Sequence, residues 1–245
     1  MNELIEKEFR LHAEQEYPRE CCGLLAVVKG REKYFPCVNS AEGTEHFIIS
    51  EDQYSYVDDL GEIIAVLHSH PDVAPTPSQA DRVSCEATGL VWHIVGVEMV
   101  SGVPTSNSIV TIAPEGYKAP LIGREFYHGV LDCYTLIRDW YKEERSIELP
   151  DFIRRDEWWA DGHSDLYTEG FPKAGFISMG QSAELQVGDV ILMQVRSKNE
   201  VPNHAGIYIG NSQILHHMYG RLSSRDIYGG FWRELTRDIL RYKGT

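Results

Sequence analysis

The sequence has no apolar run approaching the roughly 20 residues that span a bilayer. Met1-Asn2-Glu3 opens an acidic N-terminus rather than a secretion signal, so the chain is expected to be made and folded in a cytoplasm. Cysteine is scarce. The five thiols, at 21, 22, 37, 85 and 133, are odd in number and form no C-x-x-C pair, which argues against a disulfide framework. Basic residues are also few, with 23 Lys and Arg against 37 Asp and Glu and a net charge of −14. The deficit is uneven, because residues 1–115 hold 7 basic and 19 acidic side chains whereas residues 116–245 hold 16 and 18. An acidic first half argues against nucleic-acid binding through the phosphate backbone. Internal repeats and low-complexity segments are absent too.

A length of 245 residues with 42% hydrophobic content suits two domains, each with its own core. Residues 2–16 read as an amphipathic helix carrying Leu4, Ile5, Phe9, Leu11 and His12, closed by Pro18. Gly23–Val28 and Tyr34–Val38 read as strands around a turn at 29–33, and Phe47–Ile49 as a short strand. A helix from Ser50 to about Leu60 follows, then an Ile63–Leu67 strand, a helix opened by Ser78, and strands at Trp92–Val97 and Ile109–Ile112. Residues 113–125, with two Pro and two Gly and no periodicity, are the best linker candidate. Beyond them Cys133, Leu136, Ile137, Trp140 and Tyr141 share one helical face. Residues 146–185 offer only short irregular elements. Val190–Val195 is a strand, and His204–Ile209 with Gln213–His217 forms a hairpin across Gly210-Asn211-Ser212.

Two stretches carry chemistry. His68-Ser69-His70-Pro71 ends the Ile63 strand, and Ser78 and Asp81 follow at H-x-H-x7-S-x-x-D spacing. Residues i and i+2 of a strand share a face, so His68 and His70 can hold one cation. A helix starting at Ser78 can return the Asp81 carboxylate to them. Two His and one Asp leave a fourth position for water, the layout of a catalytic zinc. The bland alternative is two satisfied histidines and a capping box that needs no metal. In the second half Cys133 lies in the first turn of its helix, where the macrodipole favours thiolate. A nucleophile also needs a base and a group to orient it, for which His204 and His216 are the candidates. The alternative is a buried structural cysteine.

Taken whole, the first pattern resembles the JAMM (MPN-type) zinc metalloprotease signature, with Pro18-Arg19-Glu20-Cys21-Cys22-Gly23-Leu24-Leu25 resembling that family's Glu-bearing first strand. The resemblance implies one Zn2+ per chain held by His68, His70 and Asp81, with Glu20 as general base and acid and Ser78 as an oxyanion donor. Asp132-Cys133, Gly188-Asp189-Val190, His204-Ala205-Gly206-Ile207-Tyr208-Ile209-Gly210 and Ile214-Leu215-His216 resemble an NlpC-type cysteine peptidase. That implies Cys133 as nucleophile, His204 as base and His216, at a spacing of twelve, as the orienting group. A three-residue loop at 210–212 would put His216 on the His204 face, whereas a two-residue loop would put His217 there. Tyr134-Thr135 stand where the family has Ser-Gly, and Leu121 where it has Tyr; these positions are expected to face substrate.

The pairing resembles the tail-tip assembly protein K family of long-tailed bacteriophages. The implied fold is α+β in two domains: an MPN-like mixed sheet with flanking helices at 1–114, and a papain-like NlpC-type domain at 120–245. The implied function is tail-tip assembly with an (iso)peptidase site and a Cys-His-His endopeptidase site directed at cell-wall peptides. The implied partners are other tail-tip proteins and a peptide or peptidoglycan substrate, without nucleic acid or a membrane span. The implied locations are the host cytoplasm during assembly and the virion tail tip. A structural assembly factor and a cellular deconjugating protease are the alternatives.

Overall fold

The computed structural model describes residues 1–44 and 46–244, so Thr245, the end of the second expected domain, lies outside the described residues. The chain divides into two compact units, Met1–Lys118 and Ala119–Thr245, each with its own sheet. Among the described residues no helix is long and apolar enough to cross a membrane.

The first unit runs α1 (Glu3–Glu16), β1 (Cys22–Val28), β2 (Arg31–Cys37), α2 (Glu51–Leu60), β3 (Glu62–Pro71), α3 (Gln79–Thr88), β4 (Val91–Val100) and β5 (Val103–Ile112). The strand order is β2-β1-β3-β4-β5. β3 and β4 are parallel, as a crossover through α3 requires, and the other pairs are antiparallel. Both sheet faces are covered. Alternation along β1 sends Cys21 and Leu25 to the α1 side, with Phe9, Tyr34 and Leu67. It sends Cys22, Leu24 and Ala26 to the side of α2 and α3, with Val57, Cys85 and Trp92. His68 and His70, of even parity with Val66, fall on that second side.

Several sequence expectations need correction. The buried stripe of α1 is Ile5, Phe9 and Ala13, whereas Leu4 and Leu11 are exposed. The turn between β1 and β2 is only Lys29-Gly30, both at positive φ, the two-residue hairpin geometry that matches strand twist. Arg31–Lys33, expected in the turn, therefore belong to β2. Phe47–Ile49 forms no strand; Asn39 ties the segment down by accepting from the Ile48 N–H and donating to the His46 carbonyl.

The second unit contains α4 (Cys133–Arg145), α5 (Leu166–Lys173), β6 (Phe176–Ser178), β7 (Val190–Met193), β8 (His204–Gly210), β9 (Gln213–His216), β10 (Ser224–Ile227), α6 (Phe231–Leu235) and β11 (Thr236–Tyr242). Its sheet order is β10-β9-β8-β7-β11-β6. The core on one face joins Leu136, Ile137 and Trp140 of α4 and Phe171 of α5 to Val190, Leu192, Ala205, Ile207 and Leu215. The other face carries Ile191, Met193 and Ile214 with Trp232. α5 was not foreseen in the Gly- and aromatic-rich 146–185 stretch. Its Asp165 cap and a buried face of Tyr167 and Phe171 build it despite Pro172 in its last turn.

Candidate functional sites

In the first unit β3 aims two imidazoles at one point. His68 Nε2 lies 3.2 Å from His70 Nε2, and the Asp81 carboxylate lies 3.2 Å from the first and 3.3 Å from the second. Metal–ligand bonds of about 2.0 Å at tetrahedral angles separate donors by about 3.3 Å. The imidazole–imidazole edge matches, and each imidazole meets a different oxygen of the Asp81 carboxylate at the same separation, Oδ1 for His68 and Oδ2 for His70. The donor set is imidazole and carboxylate, all three residues are buried, and the geometry fits a divalent ion of zinc's size. The capping box is present as well, and it does not compete. Asp81 Oδ2 accepts the Ser78 N–H at 2.7 Å, and Ser78 Oγ accepts the Asp81 N–H at 3.0 Å. The cap thus fixes the carboxylate beside the two imidazoles and leaves the Ser78 hydroxyl proton to donate elsewhere.

The rings are held differently. His70 Nδ1 faces the Ala74 carbonyl at 3.3 Å, which sets the proton on Nδ1 and the lone pair on Nε2. His68 Nδ1 is buried without a hydrogen-bond partner; Phe47 and Trp92, with ring centroids at 4.8 and 5.4 Å, wall that ring instead. Burial opposes ionisation of Asp81, but His68 and His70 hold its carboxyl well below the usual range. Burial also lowers His70, but Asp81 and Glu20 outweigh it and raise the ring. Glu20 lies two residues before β1, where both His68 and His70 act on its carboxyl. Burial pushes the Glu20 carboxyl up, with His68 and His70 acting in opposition.

In the second unit Asp132 caps α4 and presents Cys133 as the first helical residue. Its Oδ1 accepts the Thr135 N–H at 2.9 Å, while Oδ2 takes the Gly129 N–H at 3.0 Å and Arg154 Nε at 2.5 Å. Both Asp132 and Arg154 are buried. Burial opposes the Asp132 charge, but Arg154 and the Thr135 N–H keep the carboxyl below its ordinary value. The Cys133 thiol is 5% exposed, and its hydrogen bond, at 2.9 Å, is to the Tyr167 hydroxyl; among the described residues none joins it to His204. Burial pushes this thiol up to about 11, with Asp132 adding to the rise and Tyr167 and the Ala205 backbone opposing it. The sulfur therefore lies beside the residue that follows His204.

His204, His216 and Asp226 form a chain. His204 Nε2 lies 3.0 Å from His216 Nδ1, and His216 Nε2 lies 3.1 Å from Asp226 Oδ2. An ionised carboxylate only accepts, so His216 carries its proton on Nε2 and accepts at Nδ1 from His204 Nε2–H. His204 Nδ1 is left with the lone pair that a base needs. Burial lowers both imidazoles, so each sits neutral near pH 7.

The hairpin between the two histidines differs from the expected one. Gly210 pairs with Gln213 across Asn211-Ser212, both at positive φ, so the loop has two residues and not three. Ile209 is a bulge, and beyond it Tyr208 pairs with Ile214 and Gly206 with His216. The bulge cancels the parity change of the shorter loop, leaving His216 on the His204 face. His217 points away, buried, with neither ring nitrogen completing a well-aligned hydrogen bond and Phe126 edge-on at 5.1 Å. The positions expected to face substrate do not. Tyr134 is fully buried with its hydroxyl donated to the Pro150 carbonyl at 2.7 Å, and Thr135 Oγ1 is bound to Asp132. Leu121 packs against the core. Asp226 and Tyr167 were missed, because their partners come from other elements and no local spacing reveals them.

Residues 3–109 match the family of prokaryotic homologs of the JAB domain, and residues 123–241 match the NlpC/P60 family. A solved NlpC/P60 family protein from Bacillus cereus overlays 96% of this chain and 66% of its own at 12% identity, with a TM-score of 0.36, too weak a likeness to bear on the fold. Tail tip assembly protein K of Escherichia phage lambda is 40% identical over 183 residues, covering 75% of this chain and 83% of that one. Tail tip assembly protein K of Escherichia phage N15 is 41% identical over 234 residues, 95% of this chain and 91% of its relative. The chain belongs to the tail tip assembly protein K family, and it joins a JAB-type unit to an NlpC/P60-type unit.

Proposed function

We propose that this chain acts in phage tail-tip assembly as a hydrolase with two amide-cleaving sites, a zinc-dependent (iso)peptidase at His68, His70 and Asp81 and a cysteine endopeptidase at Cys133 directed at cell-wall peptides. The observation that carries the reading is the convergence of three buried residues, with the two Nε2 atoms 3.2 Å apart and each 3.2–3.3 Å from one oxygen of the Asp81 carboxylate. A Zn2+ held by His68, His70 and Asp81 would supply Lewis acidity and lower the pKa of a water towards neutral pH. Glu20 takes the proton and returns it to the leaving amine, and the Ser78 hydroxyl donates to the carbonyl oxygen as charge develops on it. In the second unit Cys133 passes its proton to His204 Nδ1 and attacks the amide carbonyl, and His204 then protonates the leaving nitrogen. His216, steadied by Asp226, keeps the His204 tautomer and offsets the charge that ring acquires. The proposed partners are other tail-tip proteins, met in the host cytoplasm during assembly and at the tail tip of the particle. The proposed domain limits, 1–114 and 120–245, leave residues 115–119, bounded by Pro114 and Pro120, between them as a connector.

Digestion of purified cell wall by wild type and by Cys133→Ala, with products identified by mass spectrometry, tests the second site. Loss of released peptides in the variant supports it, and equal release refutes it. A second reading treats the units as docking modules without turnover. A buried thiol with no hydrogen bond to His204 among the described residues favours that reading for the second unit. Infectious tails assembled from chains carrying both Glu20→Gln and Cys133→Ala would decide for it.

A further inference from the structure

We propose that Tyr167 is a further catalytic residue of the Cys133 site, its hydroxyl donating to the sulfur and stabilising it as thiolate. The inference rests on Cys133 being the nucleophile. Tyr167 lies on α5, 34 residues after Cys133, yet its hydroxyl stands 2.9 Å from Sγ with both side chains buried. A buried O–H must donate to something, and among the described residues the acceptor within reach is this sulfur. Either atom of the pair can donate; with the Tyr167 O–H as donor to Sγ, the thiol's own proton is free to leave for an imidazole.

The contact strengthens as the reaction proceeds. A neutral thiol is a weak acceptor, whereas a thiolate makes a charge-assisted hydrogen bond. An interaction that grows along the reaction coordinate lowers the barrier rather than merely binding. Burial and the neighbouring Cys133 raise the Tyr167 hydroxyl well above its ordinary range, so the donor keeps its proton. The phenol is also rigidly placed, with ring centroids of Trp158 at 5.2 Å, Phe171 at 5.8 Å and Phe152 at 6.4 Å around it. In the step itself Cys133 S–H gives its proton to His204, the S–C bond forms, and the carbonyl π pair moves to oxygen. Tyr167 loses no proton. Its donation lapses when the sulfur becomes a thioester and returns when deacylation restores the thiol.

The test is the apparent pKa of Cys133, read from thiolate absorbance of the full chain against pH, with the matching Cys133→Ala protein subtracted. Tyr167→Phe keeps the packed ring and removes the donor, and is expected to raise that pKa by about one unit, a tenfold smaller thiolate fraction on the acid side. Placing 3-fluorotyrosine at position 167 gives a more acidic donor and is expected to lower it, which decides the matter if the Phe variant does not fold. If the hydroxyl instead accepts from the thiol and holds it at rest, Tyr167→Phe lowers the apparent pKa, and the proposal is wrong. An unchanged value also overturns it. The reading is independent of turnover, so a chain inactive on cell wall refutes the peptidase assignment while leaving this measurement to judge Tyr167.

Discussion

Each unit holds a pair of buried histidines whose ring nitrogens nearly touch, and the two pairs are built for opposite ends. His68 and His70 stand two apart on one strand, and both turn Nε2 towards the same Asp81 carboxylate at 3.2–3.3 Å. His204 and His216 stand on paired strands and meet Nε2 to Nδ1 at 3.0 Å, with Asp226 at the end of the line. Convergent lone pairs repel unless a cation sits between them; serial nitrogens share one proton per contact and need none. Their electrostatics differ in the same sense. Burial bears on both pairs, but His70 is raised by carboxylates whereas His204 and His216 stay lowered. What separates the convergent pair from the serial one is thus the strand placement of two rings, since both pairs are imidazole beside carboxylate.

The largest effect should come from dismantling convergence. Elemental analysis is expected to find about one zinc per wild-type chain and none in His68→Ala/His70→Ala, with Glu20→Gln retaining the metal and losing amide cleavage. Stoichiometric zinc in the double variant would remove the site. Breaking the relay should act next. His216→Ala is expected to slow the Cys133 reaction by about 10²–10⁴, as loss of an oriented base does, while Asp226→Asn costs less because His216 remains. His217→Ala should spare the reaction. The reverse ranking of the two histidine variants would show that the bulge at Ile209 does not persist in solution.

That bulge shows where the sequence stops being readable. The His68, His70 and Asp81 cluster follows from short-range rules, because strand parity aligns the histidines and a cap three residues long aims the carboxylate. The orientation of His216 depends on loop length and on an inserted residue together, and the two departures cancel. Alternation alone cannot report such a cancellation. Asp226 reaches His216 only because β10 pairs with β9 in one register, Ser224 against His216 and Asp226 against Ile214. Tyr167 was hidden for a different reason. Its helix draws stability from an aromatic core rather than from propensity, so the glycines and the proline around it read as loop.

A smaller effect on chemistry but a large one on stability is expected at Arg154. Replacing it with Met leaves Asp132 buried and unpaired at the start of α4, at a cost of about 3–5 kcal/mol. Four of the five tryptophans lie in the second unit, so tryptophan fluorescence during urea unfolding reports it. A change under about 1 kcal/mol would mean that the carboxylate finds another partner.

The smallest effect concerns His217, and its sign can be worked out. Burial lowers this imidazole from its ordinary 6.5 to about 4, with Arg124 adding to the fall and Asp132 and the backbone of Arg124 and Arg221 opposing it, and neither ring nitrogen completes a well-aligned hydrogen bond. Below pH 6.5 the unfolded chain takes up a proton that the folded one refuses, so stability falls with pH until the folded ring titrates near 4. His204 and His216 are lowered as well and add to the same slope. Asp132, depressed in the fold, adds a further loss below about pH 3.9. His204 and His216 answer to the relay, but His217 makes no well-aligned hydrogen bond that a phenyl ring would lose. Phenylalanine keeps the edge contact with Phe126 and leaves no buried nitrogen unsatisfied. His217→Phe is therefore expected to raise the unfolding midpoint at pH 5 more than at pH 8. Equal shifts at the two values would show that the ring is protonated, or hydrated, in the folded protein.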